Sequence, residues 1–187
     1  MKTSFKILFP FVIYVISSFT AYAQTGRFYT TDGGLSSSLI NHFFQDSKGF
    51  MWTATEYGLN SFDGLRFANY WHVSGDSTSI KNNYVRTLFE DSRQNLLIGC
   101  IDGLMRYDRE TNTFSEIPMI RAGKQVFPHV TQMQELHNGE IWMTTTGQGM
   151  FRLDEQRKQA VSVDELLRQS NYNFQSCFMK ILITIFG

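Results

Sequence analysis

One spacing constrains this chain more than any other property: equivalent turn and strand positions recur every 45 residues. Trp52, Leu97 and Trp142 form one such series. The pairs Asp46/Asp91, Thr55/Cys100, Gly58/Gly103 and Phe62/Tyr107 repeat at the same step. A third copy stays in step through Gly139, Trp142 and Thr145, then carries one extra residue. Gly149, Leu153 and Asp154 therefore answer Gly103, Tyr107 and Asp108 at a step of 46. A fixed period of this length marks a repeat architecture, in which one supersecondary unit cannot bury its faces without its neighbours.

Each copy decodes into four short strands. The first carries an apolar pair three residues apart: Ile40 and Phe43, Val85 and Leu88, Val130 and Met133. A polar stretch then turns the chain (Asp46 to Gly49, Asp91 to Gln94, His137 to Gly139), as turn chemistry demands. The second strand is centred on Trp52, Leu97 or Trp142. A second Gly turn leads into Leu59 to Phe62, Leu104 to Tyr107, or Met150 to Leu153, and a weaker strand closes each unit near Phe67, Phe114 or Ala160. Four strands per unit at a mid-forties period is the pattern of a propeller blade. Other β solenoids use shorter periods. The sequence thus predicts an all-β chain: a partial β-propeller of about three four-stranded blades and the start of a fourth.

The organisation that follows is a signal peptide at 1–23, a lead-in at 24–38, and blade 1 with its linker at 39–82. Blade 2 with its linker occupies 83–127 and blade 3 occupies 128–172, with a truncated start of blade 4 at 173–187. Lys2 and Lys6 precede an apolar run from Ile7 to Ile16, and Ala21-Tyr22-Ala23 is a small-x-small cleavage triplet. This is the layout of a secretion signal cut after Ala23, and its apolar run is too short to span a bilayer. A periplasmic or secreted mature chain with no membrane span is expected. The fourth repeat starts on schedule at Asn173, then gives way at Ile181 to an apolar run without turn chemistry, as a truncated or frameshifted reading frame would.

The remaining composition excludes several functions. The formal net charge is zero, so no basic field draws nucleic acid. Cys100 and Cys177 form no metal-ligand spacing and read as small buried side chains rather than a bridge.

These residues resemble the two-component regulator propeller repeat. The resemblance rests on Asp46-Ser47-Lys48-Gly49-Phe50-Met51-Trp52 and on Asp91 to Gly99. It extends to Phe62-Asp63-Gly64 with Phe67 and Tyr70, to Ser77 to Asn83, and to Asp32-Gly33-Gly34-Leu35-Ser36, and covers roughly residues 27 to 180. Cys100 in place of Thr, Leu136 in place of the turn Asp, and the extra residue at Gly147-Gln148-Gly149 depart from it. The resemblance implies the sensing end of a bacterial hybrid two-component system, typically glycan-responsive, with an oligosaccharide ligand. In that family a dimeric membrane-bound histidine kinase completes the protein. The domains that would carry kinase activity are absent from this sequence.

No catalytic constellation, metal site or cofactor motif emerges. The four His residues lack metalloenzyme spacing, and the Asp residues at turns are expected to bond nearby backbone N–H groups. Ligand contacts are expected on loops after the second and fourth strands: Glu56, Tyr57, Asp102 and Gln148 from the first set, and Trp71, His72, Arg121 and Lys124 from the second. The repeat positions Asp46, Gly49, Trp52, Gly58, Asp91, Leu97, Gly103, Gly139, Trp142 and Gly149 are expected to be structural. Three functions compete: a periplasmic ligand sensor, a secreted interaction or carbohydrate-binding scaffold, and a propeller hydrolase or lyase. The last needs recurring inward-facing carboxylates or His, which the aligned copies lack.

Overall fold

The computed structural model describes residues 28–163; the expected secretion signal, the fourth repeat and Cys177 lie outside them. Apart from a short turn of 3₁₀-helix at Thr31–Gly33, the elements are all strands. The first sheet is an antiparallel meander of β1 (Ile40–Gln45), β2 (Met51–Thr55), β3 (Gly58–Phe62) and β4 (Phe67–Tyr70). The second repeats it with β5 (Val85–Glu90), β6 (Leu96–Cys100), β7 (Gly103–Asp108) and β8 (Thr113–Ile117). A hairpin of β9 (Met119–Arg121) and β10 (Lys124–Val126) precedes β11 (Val130–Glu135), β12 (Ile141–Thr145), β13 (Gly149–Leu153) and β14 (Ala160–Ser162). The innermost strands β1, β5 and β11 lie side by side, so the sheets fan out as successive blades of an open, partial β-propeller.

The hairpin corrects the sequence reading, which left residues 118–127 as linker. β9 pairs in parallel with β14 and turns the third blade into a six-stranded sheet, ordered β10-β9-β14-β13-β12-β11. Arg121 and Lys124 therefore sit on paired strands at its outer edge rather than on a loop.

The backbone repeats more faithfully than the side chains. Each first hairpin slips register once, between Ile40 and His42, Val85 and Thr87, and Val130 and Gln132. The extra residues of these bulges, Asn41, Arg86 and Thr131, are again 45 apart. The first turns also superpose chemically. Asp46 Oδ1 accepts from the N–H groups of Lys48 and Phe50, and Asp91 Oδ1 from those of Arg93 and Asn95. Leu136 cannot do this, yet its turn keeps the Gly139 N–H to Leu136 O bond at 2.8 Å, matching Gly49 to Asp46 at 2.9 Å. Gly139 takes the left-handed φ of 81° that this turn requires, as Gly49 does at 90°.

Strand alternation then assigns each residue to a seam. Along β6, Leu96 and Ile98 face the first blade and join Trp52, Ala54, Leu59 and Leu88 in one core. Leu97 points the other way and packs with Leu104, Val130, Met143 and Phe151. Both faces of β6 are covered, which explains its continuous apolar run; each such side chain contributes about 1.5–3 kcal/mol. Gly99 is required by closeness rather than by φ, since a Cβ there would lie 2.6 Å from Thr87 Cγ2 and 3.0 Å from Val130 Cγ1.

The first blade differs on its far face. Where the second has Ile98, Cys100 and Met105, it carries Thr53, Thr55 and Asn60, all buried. The chain at 34–36 covers this face and bonds to its polar groups at Asn60, Thr55 and Asn69. The Ser36 N–H donates to Asn60 Oδ1 at 2.8 Å, Ser36 Oγ lies 3.2 Å from Thr55 Oγ1, and Asn69 Nδ2 donates to Gly34 O.

Candidate functional site

Because the strands alternate in direction, each blade has two ends. The β2–β3, β6–β7 and β12–β13 turns share one end with the linkers that lead into β5 and β11. The β1–β2 and β3–β4 turns, with their counterparts in the next two blades, lie at the opposite end.

The first end holds most of the expected ligand residues. Tyr57 is 68% exposed at the β2–β3 turn, which is held by Thr55 Oγ1 accepting from the Tyr57 N–H and donating to Gly58 O. Trp71, 47% exposed, lies over Gly58: a Cβ there would meet the indole at 3.0 Å and Tyr70 O at 2.8 Å. Gly58 also has φ 119°, so this contact admits only glycine. The structure thus brings Trp71 against the turn carrying Glu56 and Tyr57. The His72 N–H donates to Asn83 Oδ1, and His72 Nδ1 lies 3.0 Å from Ile80 O. Since a carbonyl only accepts, Nδ1 carries the proton.

Asp102 is tied to the preceding linker, accepting from Asn82 Nδ2 at 3.2 Å, while its Oδ1 is buried without a partner. Lys81 pairs with Glu116 at 2.7 Å and sits 3.9 Å over the Phe127 ring. Gln148 is half-buried on the β12–β13 turn. Arg121 and Lys124, on the outer hairpin, are not gathered with the others. Cys100 lies beneath this end, a free thiol pushed up to about 12 by burial and by the charge of Asp102. Among the described residues, no group of His, Cys, Asp or Glu is arranged to hold a metal ion.

The opposite end holds residues that the sequence did not single out. Arg109, beyond β7, reaches back across the seam to Asp46 at 2.6 Å and also holds Glu90 at 2.7 Å. Glu90 takes the Ser47 N–H and hydroxyl. The next seam repeats the device: Arg157, only 5% exposed, bridges Asp91 at 3.2 Å and Glu135 at 3.5 Å. Glu135 takes the Ser92 N–H and hydroxyl, as Glu90 does for Ser47. Burial pushes the Asp46 carboxyl up, but the Trp52 indole N–H, Arg109 and the Phe50 N–H outweigh it and hold it below its ordinary value. These arginine clamps join the β1–β2 turn of one blade to the β3–β4 turn of the next through Asp46 and Asp91.

No family model matches the sequence. A 77-residue stretch, 39% of this chain, is 35% identical to histidine kinase P4 of Formosa agariphila, of which it covers 6%. In fold, 72% of the chain superposes on the extracellular domain of a hybrid two-component system protein from B. thetaiotaomicron, with a TM-score of 0.64 and 29% identity. A second extracellular domain from that organism matches over 67% of the chain, with a TM-score of 0.58 and 24% identity, a likeness of fold alone. The chain spans only 19% and 18% of these two domains. Residues 28–163 thus form a run of propeller-like blades similar, in fold and in sequence, to part of the extracellular domain of a hybrid two-component system.

Proposed function

We propose that this chain is a ligand-sensing propeller module of a two-component signal transduction system, working outside the cytoplasm. The observation that carries the reading is the likeness to an extracellular domain of a hybrid two-component system at 29% identity and a TM-score of 0.64. Export through a signal cleaved after Ala23 agrees with it. In this reading the chain performs no chemistry; it binds, and a membrane-bound, dimeric histidine kinase reports the binding.

The ligand we assign is an oligosaccharide, held at the linker end of the blades. Trp71 and Tyr57 offer exposed rings on which a sugar face can stack, positioned by Gly58 and the Thr55 turn. Glu56, His72, Asp102 and Gln148 supply polar groups around them. Arg121 and Lys124 would take part only through a ligand long enough to reach the outer hairpin.

Calorimetric titration of the full chain with soluble oligosaccharides tests this. Binding is expected for at least one sugar class and should weaken about tenfold or more in Trp71→Ala, equivalent to about 1.4 kcal/mol. Binding that Trp71→Ala and Tyr57→Ala leave untouched would place the ligand elsewhere, and a chain that binds no sugar but retains a protein partner would favour the scaffold reading.

A further inference from the structure

We propose that the outer face of the first blade docks on the outer face of the third blade of a second copy of this chain, so that two copies close one ring. The contact goes beyond the ligand-binding reading and shares no residue with the linker-end site.

The repeat identifies the surface. Phe43, Met51 and Phe67 hold the strand positions of Leu88, Leu96 and Phe114 in the second blade. Those three are buried in the seam with the first blade. In the third blade, Met133 and Ile141 hold the positions of Phe43 and Met51 and pack into the second seam. The first blade keeps the same apolar positions, yet Phe43 is 58% exposed and Met51 36%. Leu65, on the β3–β4 turn beside them, is 85% exposed. The bonds from residues 34–36 reach Thr55, Asn60 and Asn69, at the linker-end half of this face, and leave its clamp-end half open. An end repeat that faces water carries a polar outer surface; this one carries what its counterparts bury against a preceding blade.

The clamp positions identify the occupant. At each internal seam the earlier blade supplies a turn aspartate, Asp46 or Asp91. The later blade supplies a glutamate and an arginine, Glu90 with Arg109 or Glu135 with Arg157. The third blade, standing as the earlier one, has Leu136 in the aspartate position. The first blade, standing as the later one, has Gln45 in the glutamate position and Gly64 in that of Arg109. Both halves of the clamp are therefore neutral on the two outer faces, and their meeting strands no clamp charge. The polar half of the first-blade face is also answered, because Gln134, Thr144 and Arg152 lie around Trp142 on the third blade's outer face. Each such contact repeats a seam that the chain already makes twice. A head-to-tail contact closes into a ring or runs on as a filament. Three blades from each copy bring the total into the range of about four to eight that closed propellers use.

Light scattering after size exclusion of the full chain, at micromolar concentration, tests the assignment. A dimer without larger species is expected. Leu65→Arg and Leu136→Asp should each weaken dimerisation about tenfold or more. The double variant, which builds an arginine–carboxylate pair across the contact, should recover it. Leu65 is exposed and Leu136→Asp restores the turn residue of the other repeats, so the fold is retained, which circular dichroism verifies. Trp71→Ala should leave the dimer unchanged, so this proposal and the linker-end reading fail separately. A monomer, its first-blade face left open or taken by residues 164–187 of the same chain, would overturn the proposal. So would a dimer insensitive to Leu136→Asp, which joins first blade to first blade, a filament, or a double variant that does not recover.

Discussion

Replacing Asp46 by Ala removes four acceptor contacts at once: the N–H groups of Lys48 and Phe50 at 2.9 Å, the Trp52 indole at 2.7 Å and Arg109 at 2.6 Å. Because the carboxylate is fully buried and the Trp52 donor stays buried after the change, the cost should resemble that of breaking a buried ion pair, about 3–5 kcal/mol. Asp46→Asn keeps one oxygen for the turn but aims an amide N–H₂ at two donors, so it too should cost more than a neutral isostere normally does. Urea unfolding followed by Trp fluorescence is the assay. With a slope of roughly 2 kcal/mol/M, the midpoint should fall by about 1.5–2.5 M for Asp46→Ala. Arg109→Met belongs to the same network, so the double variant should lose clearly less than the two single losses combined. Strict additivity, or an Asp46→Asn midpoint equal to that of the parent, would refute the clamp. The acid limb should agree. A carboxyl held below its ordinary value contributes stability that is complete above its unfolded pKa and is lost as pH falls through the folded one.

His42 Nδ1 accepts the Leu88 N–H at 3.1 Å across the first seam, and burial holds its pKa below 6.5. Protonation removes that acceptor, so stability should be full above pH ~6.5 and decline below it; melting curves should show this slope flattening in His42→Asn. Gly99→Ala should overpack the second seam against Thr87 and Val130 and cost about 1–3 kcal/mol, read from the urea midpoint. In a Cys177→Ala background, Cys100 should resist a soluble disulfide reagent at pH 8 until the chain is unfolded, since its buried thiol is pushed up to about 12; fast labelling of that native variant would contradict the packing described.

The strands were legible because their signal is redundant: period, turn residue and apolar alternation agree at Asp46, Trp52 and Gly58 and again 45 residues later. β9 and β10 were not. Each has three residues, too few to display alternation, and they turn through Ala122 and Gly123, of which the first takes an unusual φ of 50°. What makes them strands is tertiary, the free edge of β14. The clamps were hidden for another reason. Arg109 and Arg157 sit on turns of different length, 48 residues apart, so the period that aligns their carboxylate partners does not align them. The clue was present in Glu90 and Glu135, acidic groups 45 residues apart that neither the apolar pattern nor the turn chemistry calls for. At the linker end the turn positions of Glu56, Tyr57 and Asp102 were readable, but the seating of Trp71 on Gly58 depends on how the linker folds back. Phe50 of one blade and Tyr107 of the next line one cleft, a meeting that only the seam creates.

The polar far face of the first blade also bears on how the chain avoids assembling wrongly. At the other seams, a face like that of Ile98, Cys100 and Met105 inserts among apolar side chains. The apolar face that packs on it, that of Trp52, Ala54 and Leu59 at the first seam, would if placed against Thr53, Thr55 and Asn60 displace the Ser36 contacts and strand polar groups, at about 1–3 kcal/mol for each one left unpaired. Repeats alike in backbone within one chain invite exchange of one blade for another during folding. Here the far face discriminates against that exchange. A neighbour seated on it must bring hydrogen-bonding groups of its own, so the blades, alike in backbone, are not interchangeable in order.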